Sequence, residues 1–509
     1  METINWMELQ NGSDIRGIST EGITGESVNL TPVKVERIAI AFIHWLSQNK
    51  GLHASKLKIG IGRDSRISAE SLKYAFMNGV LSTGATIIDC GLTSTPAMYM
   101  GTIFEETIYS GSVMITASHL PYNRNGIKFF TNNGGLDKND ISDILLKAAQ
   151  INPVVKPAQS HESFDLMSLY ADFLVTRIRS EVNHPQHYST PLNGFHIIVD
   201  AGNGAGGFFV HKVLKPLGAD TSGSLFLEPD GMFPNHVPNP EDDVAIRFIQ
   251  QAVKIHKADL GIIFDTDVDR AAAVDGRGIS INRNSLIALV AAIVLEEHPG
   301  SVVVTDSITS DGLTEFIEKE LAGKHHRFKR GYKNVINEAI KLNNQGEPCW
   351  LAIETSGHGA LKENHFLDDG AYLMTKVLIK AAILRINEGK NLNELISMLR
   401  HPVESQEFRL KIQDDDFISY ANQIIVKLDN FISFIPGWRK VPDNYEGIRV
   451  ACDNQSGYGW FLLRMSLHDP VMALMVESNV SGGITNILSR LLPFFSTYSA
   501  LETSTLIYN

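Results

Sequence analysis

One hydroxyl and one ammonium bracket the run Thr116-Ala-Ser-His-Leu-Pro-Tyr-Asn-Arg-Asn-Gly-Ile-Lys128. The apolar Ser112-Val-Met-Ile-Thr before it reads as a strand. Pro121, Asn123, Asn125 and Gly126 punctuate the residues after Ser118 as a loop. Ser118 is therefore displayed at a strand end with Lys128 beside it. A hydroxyl so placed is suited to carry or transfer a charged group.

The second chemistry-bearing run is Gly261-Ile-Ile-Phe-Asp265-Thr-Asp267-Val-Asp269-Arg270. A buried strand pattern ends in three carboxylates at alternate positions. Ligands of open α/β sheets bind beyond such strand ends. Three close carboxylates repel one another unless a cation sits among them, and hard oxygen donors suit Mg²⁺. Arg270 is placed to hold a phosphate oxygen or to brace an aspartate. An EF-hand loop is excluded, because it needs Gly at its sixth position and Glu at its twelfth, where this chain has Arg270 and Gly276. Two other readings stay open: a phosphatase using Asp265 as nucleophile with Asp267, and a solvated acidic turn.

A third run, Ala352-Ile-Glu354-Thr-Ser356-Gly-His358-Gly, ends in a carboxylate, a hydroxyl and an imidazole at alternate positions. Glu354 and Ser356 suit vicinal sugar hydroxyls, and His358 suits a phosphate or a proton transfer near neutral pH. A loop histidine held by its own hydrogen bonds is an equal reading. Residues 228–240 are Pro-rich and polar; they read either as a fixed loop facing a site or as a surface connection.

These runs need strands and helices to position them. Thr31-Pro32 opens a helix with a cap residue and a proline at its first position. Val35, Ile38, Ala39, Phe42, Ile43 and Leu46 repeat at helical spacing. Residues 56–61 read as a strand, Ser68 as the cap of a second helix with Leu72, Ala75, Phe76 and Val80 inward, and residues 85–89 as the next strand. This β-loop-α-β order favours a parallel sheet covered by helices. The pattern recurs at 195–199 and 301–304. Past Pro402, strands at 408–412, 447–452 and 471–476 with a helix at 416–428 give an α+β ending. The expected fold is α/β: three related doubly wound domains at 1–190, 191–299 and 300–402, and a smaller C-terminal α+β domain at 403–509, around a central cleft.

Composition bounds the partners. The chain has 509 residues, enough for about 3–4 domains, and a net charge of −12. No global field attracts nucleic acid or an acidic membrane, so an anionic substrate must find local cations such as Arg16, Arg63, Arg66, Arg124, Lys128, Arg270 and Arg464. Cys90, Cys349 and Cys452 form no disulfide framework, which favours a reducing compartment. No run reaches the ~18 apolar residues of a membrane span. The first ten residues do not read as a signal or transit peptide.

Taken together and in order, Thr116-Ala-Ser-His, Asn125-Gly-Ile-Lys128, Asp265-x-Asp-x-Asp-Arg270 and Glu354-x-Ser-Gly-His358 resemble the α-D-phosphohexomutase superfamily, the phosphoglucomutases and phosphomannomutases. The resemblance runs from Asp14-Ile-Arg16-Gly17 to Glu477. It implies a phosphoserine at Ser118, whose phosphate with Asp265, Asp267 and Asp269 binds Mg²⁺. It implies that Lys128 and Arg16 flank the reacting phosphate, that Lys128 and His358 are proton carriers, and that Glu354 and Ser356 grip sugar hydroxyls. Gly331-Tyr-Lys333 resembles a further family loop in which Lys333 contacts ligand.

The fourth-domain loop departs from the family's Arg-x-Ser-Gly/Asn-Thr-x-Pro. It reads Arg464-Met-Ser466-Leu467-His468-Asp469-Pro470, keeping Arg464 and Ser466 as phosphate ligands and putting His468 where the family has threonine. His119-Leu120 also carries leucine where the family commonly has asparagine. The Leu467-His468-Asp469 run is similar to plant versions. That adds the plastid stroma, after removal of an upstream transit peptide, as an alternative to the cytoplasm.

The activity implied is reversible phosphate transfer between O1 and O6 of a hexose phosphate, with Mg²⁺ as cofactor and hexose 1,6-bisphosphate as intermediate and activator. Two alternatives remain at this point: a catalytically weakened sugar-phosphate-binding regulatory homologue, and a Mg²⁺-dependent phosphatase using Asp265.

Overall fold

The computed structural model of the chain describes residues 5–152, 161–466 and 469–506. It divides into two compact units, Met1–Ile293 with Ser356–Leu395, and Val294–Thr355 with Ile396–Asn509.

The first unit is built on two sheets. In one, the strands run in the order Gln10–Asn11, Asp14–Ile18, Arg124–Thr131, Gly111–Ile115, Lys58–Arg63, Thr86–Leu92, Glu162–Ser163. Its centre is parallel, as the β-loop-α-β order predicts: Lys58–Arg63 pairs in parallel with both Gly111–Ile115 and Thr86–Leu92. The strand carrying Lys128 instead returns antiparallel to Gly111–Ile115, which brings Lys128 back beside the Ser118 loop. Asp14–Ile18 adds antiparallel to it, setting Arg16 opposite Gly126. That glycine is required by close approach: a Cβ there would lie 2.3 Å from the Ile15 carbonyl oxygen.

Helix Pro32–Lys50 covers this sheet. Thr31 caps it by accepting from the Lys34 N–H at 3.3 Å. The six residues of the sequence pattern, Val35, Ile38, Ala39, Phe42, Ile43 and Leu46, are all buried in the core with Phe76 and Phe129. Helix Ala69–Ser82 follows, but Ser68 does not cap it. Its hydroxyl is engaged with Ser19 and Asn125 instead, a long-range pairing that outweighs the local one.

The second sheet has the order Ser280–Ile281, Ala271–Asp275, Leu260–Phe264, Ile197–Asp200. Only its last pair is parallel. Leu260–Phe264 and Ala271–Asp275 form an antiparallel hairpin, so the acidic run 265–270 is a hairpin turn rather than the start of a strand-to-helix crossover. Helix Gly370–Glu388 belongs to this unit and is capped by Asp369, which accepts from the Tyr372 N–H at 2.8 Å.

The second unit holds a parallel set, Lys324–Arg327, Val302–Thr305 and Cys349–Ile353, and a wholly antiparallel sheet ordered Glu404–Lys411, Val471–Ser478, Gly459–Met465, Ile448–Cys452, Trp438–Lys440. Helices Phe417–Ile432 and Gly483–Phe495 bury Ile424, Leu428, Ile487 and Leu491 against that sheet. This is the α+β ending read from the sequence. Among the described residues no helix is long and apolar enough to cross a membrane, and the three cysteines are buried and form no disulfide.

Candidate active site

In the first unit, the strand Gly111–Ile115 delivers Ser118 into a tight turn in which its φ is +50°. That left-handed backbone is uncommon for a residue with a side chain. Ser118 is 3% exposed. Its hydroxyl donates to Asp265 Oδ2 at 2.8 Å and accepts from Arg270 Nη2 at 3.2 Å. His119 Nδ1 lies 3.3 Å from the same oxygen and also accepts from Arg270. The Arg270 charge, then burial, holds His119 well below the usual imidazole range, so it acts here as an acceptor.

The hairpin turn gathers Asp265, Asp267 and Asp269, whose ligand atoms lie within 4.8 Å of one another. All three are buried. Lys128 Nζ donates to Asp267 Oδ2 at 3.0 Å and to Asp269 Oδ2. Thr95 donates to Asp267 Oδ2 at 2.5 Å, and Arg270 Nε to Asp265 Oδ2 at 3.2 Å. Burial, with the charges of Asp269 and Asp267, pushes the Asp265 carboxyl well above the usual range. Asp269 goes the other way. Burial opposes its charge, but Lys128, His358 and Arg270 together hold it below that range.

The donor set fits a hard divalent cation. Asp267 Oδ1 and Asp269 Oδ1 are buried and accept no hydrogen bond. Buried carboxylate oxygens without partners are costly unless a cation meets them. All the donors are oxygens, as Mg²⁺ prefers.

His358 joins this group. Its main chain bridges that of Arg270, and its Nδ1 contacts Asp368 and lies 3.9 Å from Asp269 Oδ1. The glycine before it is needed: Gly357 has φ +94°, and a Cβ there would stand 2.6 Å from the Ala271 oxygen. Ser356 is buried in the same turn. Arg16 is tied to Asp14 at 3.1 Å. Two of the candidate cations are spent elsewhere: Arg63 pairs with Glu70, and Arg124 donates to Glu26 at 2.5 Å.

The Pro-rich run 228–240 is anchored to the site. Asn239 accepts from Arg270 Nη1 at 3.1 Å, and buried His236 sits 3.0 Å from Asp200.

In the second unit, Glu354 accepts from the Gly331 N–H at 2.6 Å, which fixes the turn leading to Lys333 at the start of helix Tyr332–Asn344. Arg464 is buried and donates to Glu407 at 3.5 Å, while Arg330 reaches the same carboxylate oxygen at 3.8 Å. The Ser466 N–H donates to Val471 O at 2.8 Å. His468 lies outside the described residues.

Several contributors had no motif to announce them. Thr95 and Asp368 reach the acidic turn from separate elements, and Asp64 acts by accepting hydrogen bonds from Thr116 and Arg66. Only Asp368, in a second carboxylate pair with Asp369 shortly after His358, offered a sequence signal.

Comparison with known proteins adds an independent line. Family models described as phosphoglucomutase/phosphomannomutase, alpha/beta/alpha domains I, II and III, match residues 7–152, 169–278 and 282–401. A phosphoglucomutase of Neisseria gonorrhoeae is 29% identical over 479 residues, covering 94% of each chain. A phosphoglucomutase/phosphomannomutase of Thermococcus kodakarensis is 29% identical over 467 residues, covering 91% of this chain and 93% of that one. The crystal structure of a phosphoglucomutase/phosphomannomutase family protein from Burkholderia thailandensis aligns with a TM-score of 0.75 at 25% identity, covering 96% of both chains.

Proposed function

Because the chain belongs to the phosphoglucomutase/phosphomannomutase family of α-D-phosphohexomutases, we propose that it moves a phosphoryl group reversibly between O1 and O6 of a hexose phosphate. The observation that carries this reading is the convergence of Asp265 and Arg270 on the Ser118 hydroxyl. Ser118 is the phosphoryl carrier. Its Oγ–phosphorus bond breaks as a free sugar hydroxyl bonds to phosphorus, giving a hexose 1,6-bisphosphate. The bisphosphate then returns its other phosphoryl group to Ser118.

The residues divide the work. Arg16 and Arg270 offset charge on the transferring group, and Lys128 and His358 carry the proton of the sugar hydroxyl. Asp265, Asp267 and Asp269, with the Ser118 phosphate, hold Mg²⁺. When bound, that ion neutralises negative charge on the phosphoryl oxygens. Glu354, Ser356 and Lys333 grip the sugar, and Arg464, Ser466 and His468 hold the phosphate that is not reacting. Hexose 1,6-bisphosphate primes an unphosphorylated Ser118.

The four-part division at 1–190, 191–299, 300–402 and 403–509 belongs to the same reading; its boundaries fall outside helices and strands. Buried cysteines that form no disulfide are consistent with a reducing compartment such as the cytoplasm.

The test is a coupled assay over glucose, mannose and glucosamine 1-phosphates with Mg²⁺ and a trace of the matching 1,6-bisphosphate. Turnover of at least one is expected. No turnover of any, by protein whose Ser118 is shown to be phosphorylated, rejects the proposal.

A further inference from the structure

A buried guanidinium lies behind Ser118 with no role in the reaction just described. Arg66 is 2% exposed. Its Nη1 donates to the carbonyls of Pro121 at 2.7 Å and Arg124 at 3.1 Å. Its Nη2 donates to the carbonyls of Leu120 at 2.6 Å and of Ser118 itself. Its Nε lies 3.2 Å from Asp64 Oδ2. That carboxylate oxygen also accepts from Thr116 Oγ1 at 2.7 Å, and Thr116 Oγ1 in turn accepts the N–H of Ser118 at 2.9 Å. Both sides of the Ser118 main chain are therefore held, the N–H through Thr116 and the carbonyl through Arg66. Asp64 joins the two holds.

We propose that Arg66, with Asp64 and Thr116, is the positioning device of Ser118, setting the rate of phosphoryl transfer rather than the affinity for substrate. The left-handed φ of +50° at Ser118 is not one that serine prefers, so surrounding contacts must fix it. Four carbonyls drawn to one planar fork leave the loop little freedom. Lysine offers three donors from a single point and cannot reproduce that fork.

Arg66 is itself fixed. Its N–H donates to Asp64 Oδ1 at 2.9 Å, and the Phe233 ring centre lies 5.1 Å from its guanidinium. Gly231 seals the same turn, since a Cβ there would stand 2.4 Å from the Ile67 nitrogen. The Pro-rich run 228–240 thus closes over the residue that aims the nucleophile.

The kinetic arm rests on the phosphotransfer reading, so a second readout is independent of it. With the wild-type protein as reference, Arg66→Lys and Thr116→Val are expected to lower kcat by about 30–100-fold while KM moves less than about threefold. Thr116→Ser, which keeps the hydroxyl, is expected to recover most of the rate. Amide exchange of peptides spanning 117–124 is expected to accelerate at least about tenfold in Arg66→Lys and Thr116→Val, with the rest of the first unit unchanged.

Turnover within about twofold of wild type, a KM that rises in step with falling kcat, or unchanged exchange at 117–124 each overturns the proposal. If Arg66→Lys does not fold, Thr116→Val decides it, because Arg66 and Asp64 remain in place. A wild-type protein that transfers no phosphate rejects the functional reading, while the exchange arm still decides whether Arg66 holds the loop.

Discussion

The Ser118 hydroxyl donates a 2.8 Å hydrogen bond to Asp265, a residue 147 positions further along the chain. The contact joins a strand-end loop of one sheet to the hairpin turn of another. It places the proposed phosphoryl carrier against the residues proposed to hold a cation. Arg270, donating to both Asp265 and Ser118, completes a triangle in which an added phosphate meets a cation on one side and a carboxylate cluster on the other.

Ser118→Ala removes the hydroxyl of that triangle, and with it the oxygen proposed to carry the phosphoryl group. Mutase turnover is expected to fall at least about a thousandfold. Mass spectrometry of the peptide spanning residue 118, after incubation with glucose 1,6-bisphosphate, is expected to show phosphate in the wild type and none in the variant. Turnover near the wild-type rate in the variant removes Ser118 from the mechanism.

Asp267 is the hub of the acidic turn. It accepts from Thr95 and Lys128 through one oxygen and leaves the other buried without a partner. Asp267→Ala is expected to weaken Mg²⁺ binding at least about tenfold, read by calorimetry on the folded protein. Chelation of the wild type is expected to stop turnover, and added Mg²⁺ to restore it. Equal Mg²⁺ affinity in the variant and the wild type places the ion elsewhere.

The parts of this site legible in the sequence were those whose side chains sit near one another along the chain. Asp265 to Arg270 and Glu354 to His358 each lie within one turn, so spacing alone exposed them. The buried face of helix Pro32–Lys50 followed from periodicity for the same reason. What the sequence did not carry was direction and distance. Nothing in the run 260–264 says that the next strand returns antiparallel, so the hairpin turn read only as a strand end. Arg66 showed only as one more cation, because its partners are main-chain carbonyls 52 to 58 positions away, which have no residue signature. Ser68 looked like a cap because the rule for caps is local, while its actual partners, Ser19 and Asn125, are brought by the sheet.

In the second unit, Glu407 meets three arginines, Arg464 at 3.5 Å, Arg409 at 3.7 Å and Arg330 at 3.8 Å. Its side chain is 27% exposed, and all three contacts are long, so it neutralises the arginines more than it orients them. A sugar phosphate held by Arg464, as proposed, would compete with that carboxylate. Glu407→Gln is expected to lower KM for the hexose 1-phosphate by roughly fivefold, equivalent to about 1 kcal/mol, with the larger gain at low salt. A raised KM at every salt concentration means that Glu407 holds Arg464 in its working position.

Glu477 gives the second unit a pH dependence. Burial pushes its carboxyl from 4.5 up to about 7, against the opposing pull of Arg449 and the hydrogen bond from Trp460 Nε1. Between those two values the folded protein binds a proton that the unfolded chain has released. Stability therefore falls as pH rises from 4.5 through 7, and the contribution is lost above that range. The full effect is about 3 kcal/mol at roughly 1.36 kcal/mol per unit. Glu477→Gln keeps an acceptor for Trp460, at 2.9 Å in the wild type, but does not titrate. Amide exchange of peptides from strands Gly459–Met465 and Val471–Ser478, normalised for the intrinsic pH effect, is expected to show declining protection from about pH 5 to 8 in the wild type and a flat profile in the variant. The gap is expected to be widest at about pH 8, with the variant the better protected. Parallel profiles would assign the pH dependence of this sheet to another group.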